Sequence, residues 1–64
     1  MPNSKKNVSI DIGANIGNHS IFLSKFFNKV YSFEPNPIVY DVLSINSKYL
    51  AVNKNIIPYN MGLS

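Results

Sequence analysis

The apolar positions change period in an ordered way along the chain. Val8, Ile10 and Ile12 alternate with Ser9 and Asp11, which predicts a short strand ending at Gly13. From His19 to Phe27 the spacing becomes helical, with Ile21, Phe22, Leu23, Phe26 and Phe27 on neighbouring turns. Val30 to Glu34 is rich in aromatic and β-branched residues and predicts a second strand. Pro35-Asn36-Pro37 stops it and starts a helix, with Asn36 as N-cap and Pro37 at the first helical position, where its missing N–H does no harm. Ile38, Val42, Ile45, Tyr49 and Val52 then form an apolar stripe, widened by Val39, Leu43 and Leu50, and are expected to face the core. After Asn53-Lys54-Asn55, the segment Ile56 to Met61 predicts a third strand, which Pro58 confines to an edge or a bulge.

This order is β-α-β-α-β. Strands alternating with helices imply an α/β fold with a parallel sheet and right-handed crossovers. Such a unit is one half of a doubly wound, Rossmann-like domain, with strand order 3-2-1. Strand 1 has no neighbour on its outer side, so the edge at residues 8–12 is expected to invite self-association.

Composition narrows the picture. Sixty-four residues form at most one small domain, and at this size only about 60% of the unfolded surface is buried on folding. There is no cysteine to staple it, and a single histidine builds no structural zinc site. No apolar run approaches the ~20 residues of a membrane span, and Met1 to Lys6 lacks the apolar stretch of a signal peptide, so a cytoplasmic setting is expected. The net charge of +3 comes from scattered lysines without any arginine, which argues against nucleic acid as a partner.

Two segments carry candidate chemistry. Asp11-Ile12-Gly13-Ala14-Asn15-Ile16-Gly17 lies between strand 1 and helix 1, at the carboxyl end of the sheet where ligands bind in this fold. Gly13 permits a tight turn and close backbone approach, and Gly17 permits close packing as the helix begins. Asp11 sits in an otherwise apolar strand, a costly place for a carboxylate unless it is paired or working. Its plainer role is to cap the loop. Glu34, at the end of strand 2, is placed to accept hydrogen bonds from both hydroxyls of a ribose, or simply ends a strand at the surface. It follows Asp11 by about 23 residues, close to the ~20 expected between a glycine loop and a ribose carboxylate. Asparagines stand at 15 and 18, where a dinucleotide fingerprint needs glycines, and no P-loop ending is present. A bulky Asn15 suits a nucleoside ligand without a pyrophosphate, favouring S-adenosylmethionine over NAD.

The run Ile10 to Ser20 resembles motif I of class I S-adenosylmethionine-dependent methyltransferases, and its Gly-Ala-Asn-Ile-Gly form is most similar to the FkbM family. Val30 to Pro37 resembles that family's second strand and acidic loop. Leu43-Ser44-Ile45-Asn46 with Asn53 resembles its second helix, and Tyr59 to Ser64 its third strand and exit. The resemblance runs from about Val8 to Ser64 and implies that residues 1–64 are a partial S-adenosylmethionine-binding domain, the amino-terminal half of the methyltransferase fold. It implies that Asp11, Gly13, Ala14, Asn15 and Gly17 hold the methionine part of the cofactor. Glu34 with Pro35 would form the ribose loop, and Asn18, His19 and Ser20 would close over the cofactor. It further implies methyl transfer to an oxygen, the acceptor being a hydroxyl of a small molecule or glycan. The region facing that acceptor lies beyond these residues, so the catalytic residues are unassigned and the isolated 64-residue chain is expected to be inactive. The rival readings are another nucleotide-binding half-domain and a non-enzymatic remnant.

Other features receive plainer roles. His19, the sole histidine, is read as a capping or packing residue rather than a general base. The aromatic residues Phe22, Phe26, Phe27, Tyr31 and Phe33 are read as core.

Overall fold

The computed structural model describes residues 6–62. Its elements are β1 (Lys6–Ile12), α1 (Asn18–Leu23), β2 (Phe27–Phe33), α2 (Pro37–Tyr49) and β3 (Ile56–Tyr59). The three strands form one parallel sheet in the order β1-β2-β3, as the alternation of elements predicts. Residues are in register across it: Ile10 beside Tyr31 beside Ile57, and Ile12 beside Phe33 beside Tyr59.

Both helices pack on the sheet face presented by Asp11, Val30, Ser32 and Ile56. The core there is small, built on Val30, Ala51 and Ile56 with Ile21, Leu23 and Phe27 packed against it. Asn55 ties the chain together beside this core, its side-chain amide donating to the carbonyls of Ser24 and Phe27. The opposite sheet face carries Val8, Ile10, Ile12, Tyr31, Phe33, Ile57 and Tyr59 with no helix over it among the described residues. Ile10 and Ile12 are 60% and 61% exposed.

Several element boundaries differ from expectation. Helix α1 ends at Leu23, and the chain turns back through Lys25 N–H to Phe22 O and Phe26 N–H to Leu23 O, so that β2 begins at Phe27. The Ser24 hydroxyl donates to Ile21 O within this turn. The tight turn keeps Phe22 and Phe26 adjacent, ring centroids 5.1 Å apart, which is why the spacing mimics a continuing helix. Both rings are exposed, so they are not core residues.

Helix α2 starts as predicted. Asn36 Oδ1 accepts from the N–H groups of Ile38 and Val39, and Pro37 occupies the first turn. Only the edge of the predicted stripe that Val39 and Leu43 form is buried. Leu43 and Ser47 are buried on the sheet side, in line with half-buried Val39 before them and buried Ala51 after the helix ends. Ile38 (76% exposed), Val42, Ile45, Tyr49 and Val52 (84% exposed) point away. The small residues Ser47 and Ala51 let the helix approach the sheet closely, and that decides which row is buried. The helix also stops at Tyr49 rather than reaching Val52.

The two sheet edges are unlike. Val30 N–H donates to Asn55 O and Glu34 N–H to Tyr59 O, so the odd-numbered residues of β3 address β2. Pro58 therefore lies where the backbone faces the free edge, and it has no N–H to offer there. On β1, Gly13 N–H donates to Phe33 O, which leaves the peptide groups of Val8, Ile10 and Ile12 on the open edge. No described helix is long and apolar enough to cross a membrane.

Candidate functional site

The loop after β1 is held in shape mainly by backbone geometry. Gly13 has φ 69°, and a Cβ there would meet nothing within 4 Å, so glycine is required by conformation rather than by crowding. Gly17 has φ 98°, and a Cβ would come within 2.9 Å of Leu43 Cδ1, so this glycine also lets α2 pack against the loop. Asn15 takes φ 54°, and its side-chain amide donates to Gly13 O at 3.1 Å. Gly13 and Ala14 N–H both donate to Phe33 O, and Asn46 Nδ2 donates to Ile16 O, so the loop is anchored to β2 and α2 at once.

Asp11, Gly13, Ala14, Asn15, Asn18 and His19 line one cavity of about 410 Å³, together with Ile12 and Ile16. Gly17 stands behind it against Leu43. Glu34 is buried and does not line the cavity, but it is bound to the loop that does. Its Oε1 accepts from Asn15 N–H at 2.7 Å and its Oε2 from Asn36 N–H at 3.1 Å. Pro35 is exposed beyond it, and Asn60 Nδ2 donates to the carbonyls of both Glu34 and Pro35. A carboxylate has about four acceptor directions, so two backbone donors leave Glu34 capacity for hydroxyl groups.

Asp11 is paired. Ser20 Oγ donates to its Oδ2 at 2.6 Å, and Ser32 Oγ stands 2.6 Å from Ser20 Oγ. Asp11 Oδ1 faces His19, whose Nδ1 is 3.6 Å away, too far for a hydrogen bond. The His19 ring is largely exposed and lies parallel to Phe22 at 6.4 Å. Ser32 and Asn60 carry part of this architecture and are not evident from motif spacing. The available signal for Ser32 is a serine at an inward position of an apolar strand. A second groove, about 560 Å³ between α2 and β3, contains Ser44, Ser47, Lys48, Tyr49, Lys54, Ile56 and Pro58 and none of the predicted site residues. The smaller cavity is bordered by the glycine loop, to which Glu34 is tied through Asn15 N–H. No cluster of three metal-capable side chains exists among the described residues.

No protein-family model matches the chain. It is 43% identical over 54 residues to the hexuronic acid methyltransferase AglP of Haloferax volcanii, an alignment covering 84% of this chain and 21% of that protein. Among solved structures, methyltransferase FkbM from Methylobacillus flagellatus superposes with a TM-score of 0.66 at 27% identity, covering 92% of this chain and 17% of that one. The chain is FkbM-like. This FkbM-like chain thus spans about a fifth of its curated relative. A precorrin 8W decarboxylase from Methanobacterium thermoautotrophicum also superposes, with a TM-score of 0.77 over 91% of this chain and 31% of that one. At 21% identity that likeness is of fold alone. The three parallel strands and the helices between them match part of the Rossmann-like methyltransferase fold.

Proposed function

We propose that the protein is an S-adenosylmethionine-dependent methyltransferase and that residues 6–62 contribute its cofactor-binding half. The observation that carries this reading is the convergence of two backbone amides, Asn15 and Asn36, on the Glu34 carboxylate. That contact joins the glycine loop and the acidic loop into one unit at the carboxyl ends of the strands, where nucleoside ligands bind in this fold. The space around the Gly13 α-carbon fits a ligand that approaches the backbone closely. The likeness to AglP and FkbM gives the same direction.

In this reading, Glu34 accepts from the ribose hydroxyls through its remaining lone pairs. Gly13, Ala14 and Asn15 form the floor under the cofactor, and Asp11, Asn18 and His19 flank its amino-acid portion, with Gly17 and Pro35 holding the two loops in place. S-adenosylmethionine, when bound, supplies an electrophilic methyl group on a sulfonium. The chain's own contribution is to hold that group in a fixed orientation toward the acceptor, since alignment of the two reactants is a large part of such catalysis. The acceptor in this proposal is an oxygen of a small molecule or glycan. The naming of AglP for hexuronic acid, a sugar, supports that class. The open edge at 8–12 supports a further element of the proposal, self-association through β1.

Titration with S-adenosylhomocysteine, followed by amide NMR and calorimetry, tests the cofactor assignment. Shifts at Gly13, Asn15 and Glu34 are expected. Glu34→Ala should weaken binding by about 1.5–3 kcal/mol, the worth of hydrogen bonds to a charged group. Binding of NAD in preference to S-adenosylhomocysteine would replace this reading with that of a dinucleotide enzyme.

A further inference from the structure

The hydroxyls beneath Asp11 have a direction. Asp11 and Ser32 are cross-strand partners on β1 and β2, and Ser20 projects from α1 between them. Ser20 and Ser32 are both fully buried, and Asp11 is nearly so. A serine has one proton to donate. Ser20 gives its proton to Asp11 Oδ2, so the 2.6 Å contact between the two serines requires Ser32 to donate to Ser20. The result is a buried chain of donors, Ser32 to Ser20 to Asp11, drawn from three elements and ending on one carboxylate oxygen. The other oxygen, Oδ1, lies 3.6 Å from His19 Nδ1, and both residues line the cavity.

Three buried polar side chains beside a core this small are not needed for packing. Apolar residues of similar volume would fill the same space without hydrogen-bond demands. Their arrangement has a consequence for the carboxylate alone. With Oδ2 held by Ser20, rotation of the carboxylate plane is restricted, and Oδ1 is left beside His19 at the cavity the two residues line.

We propose that Ser20 and Ser32 are positioning residues, a two-hydroxyl relay that orients Asp11 so that Oδ1 receives the ammonium group of the cofactor's amino-acid portion. The inference rests on the cofactor reading above and adds to it which residues set the geometry of that contact. Hydrogen bonds among buried groups polarise one another, so removing the far member, Ser32, also weakens the near one.

The test compares two ligands on the intact protein. S-adenosylhomocysteine carries the amino-acid portion, and 5′-methylthioadenosine lacks it while keeping the adenosine. Calorimetry should show Ser20→Ala losing about five- to ten-fold in affinity for S-adenosylhomocysteine and Ser32→Ala about two- to five-fold, with 5′-methylthioadenosine binding unchanged in both. A purely structural role for the serines would lower both affinities together, and that result, or no loss at all, overturns the relay. If Ser20→Ala does not fold, Ser32→Ala, which leaves the Ser20–Asp11 bond in place, decides the matter by the same comparison. Glu34→Ala separates the two levels of inference, because it should weaken both ligands. Wild-type protein that binds neither ligand overturns the cofactor reading and the relay with it.

Discussion

Gly17 and Gly13 show how two identical residues in one loop answer to different constraints. Both sit at positive φ, where an L side chain is strained by roughly 1–2 kcal/mol. Only Gly17 also has a neighbour, Leu43 Cδ1, in the space a methyl group would take. Gly13→Ala should therefore cost about 1–2 kcal/mol, while Gly17→Ala adds an overpacking cost of about 1–3 kcal/mol. Urea unfolding of the two variants measures the difference, and equal losses would mean that Leu43 moves aside freely. The need for glycine at both positions was legible from the motif, as was Asn36 as a cap. Ser32 was not, because a serine in a strand has no meaning until the register sets it beside Asp11 and Ser20.

The elements were easier to read in kind than in orientation. Strand-helix alternation followed from periodicity, but α2 carries two apolar rows, and only packing chooses between them. The bulkier row, Ile38 to Val52, satisfies a helical pattern at least as well as the row that is buried. Ser47 and Ala51 decide the outcome because small residues permit close approach, and a hydrophobicity pattern gives them no weight. Helix α1 is shorter than its spacing predicts for a related reason, since a tight turn reproduces helical adjacency between Phe22 and Phe26. The strand edges lead to a prediction about association. Under the proposal that the chain self-associates through β1, sedimentation should show a weight-average mass that rises with concentration. Ile10→Pro, which removes an outward N–H from β1 as Pro58 does on β3, should abolish that rise. A variant that associates as strongly as the wild type would move the contact away from this edge.

As a whole, the described residues form a slab of 38 × 27 × 13 Å, with helices on one face of the sheet and an apolar face opposite. Protection in such an object cannot be uniform. β2 alone has a strand on each side, and Val30 and Ser32 on it are fully buried. Amide exchange should be slowest at Val30, Ser32 and Glu34 and fastest along the outward amides of β1. Comparable rates across the sheet would show that it opens as one unit. The blocked donor at Pro58 gives the slab a direction of growth. Any further strand, from this polypeptide or from another, has its ready docking place beside Ile10 and Ile12 rather than beside Ile56. A parallel strand docked there in register would end near Gly13, beside the cavity that Asp11 lines. Under the cofactor proposal, adding a strand to the sheet at β1 would also add to the wall of the binding site.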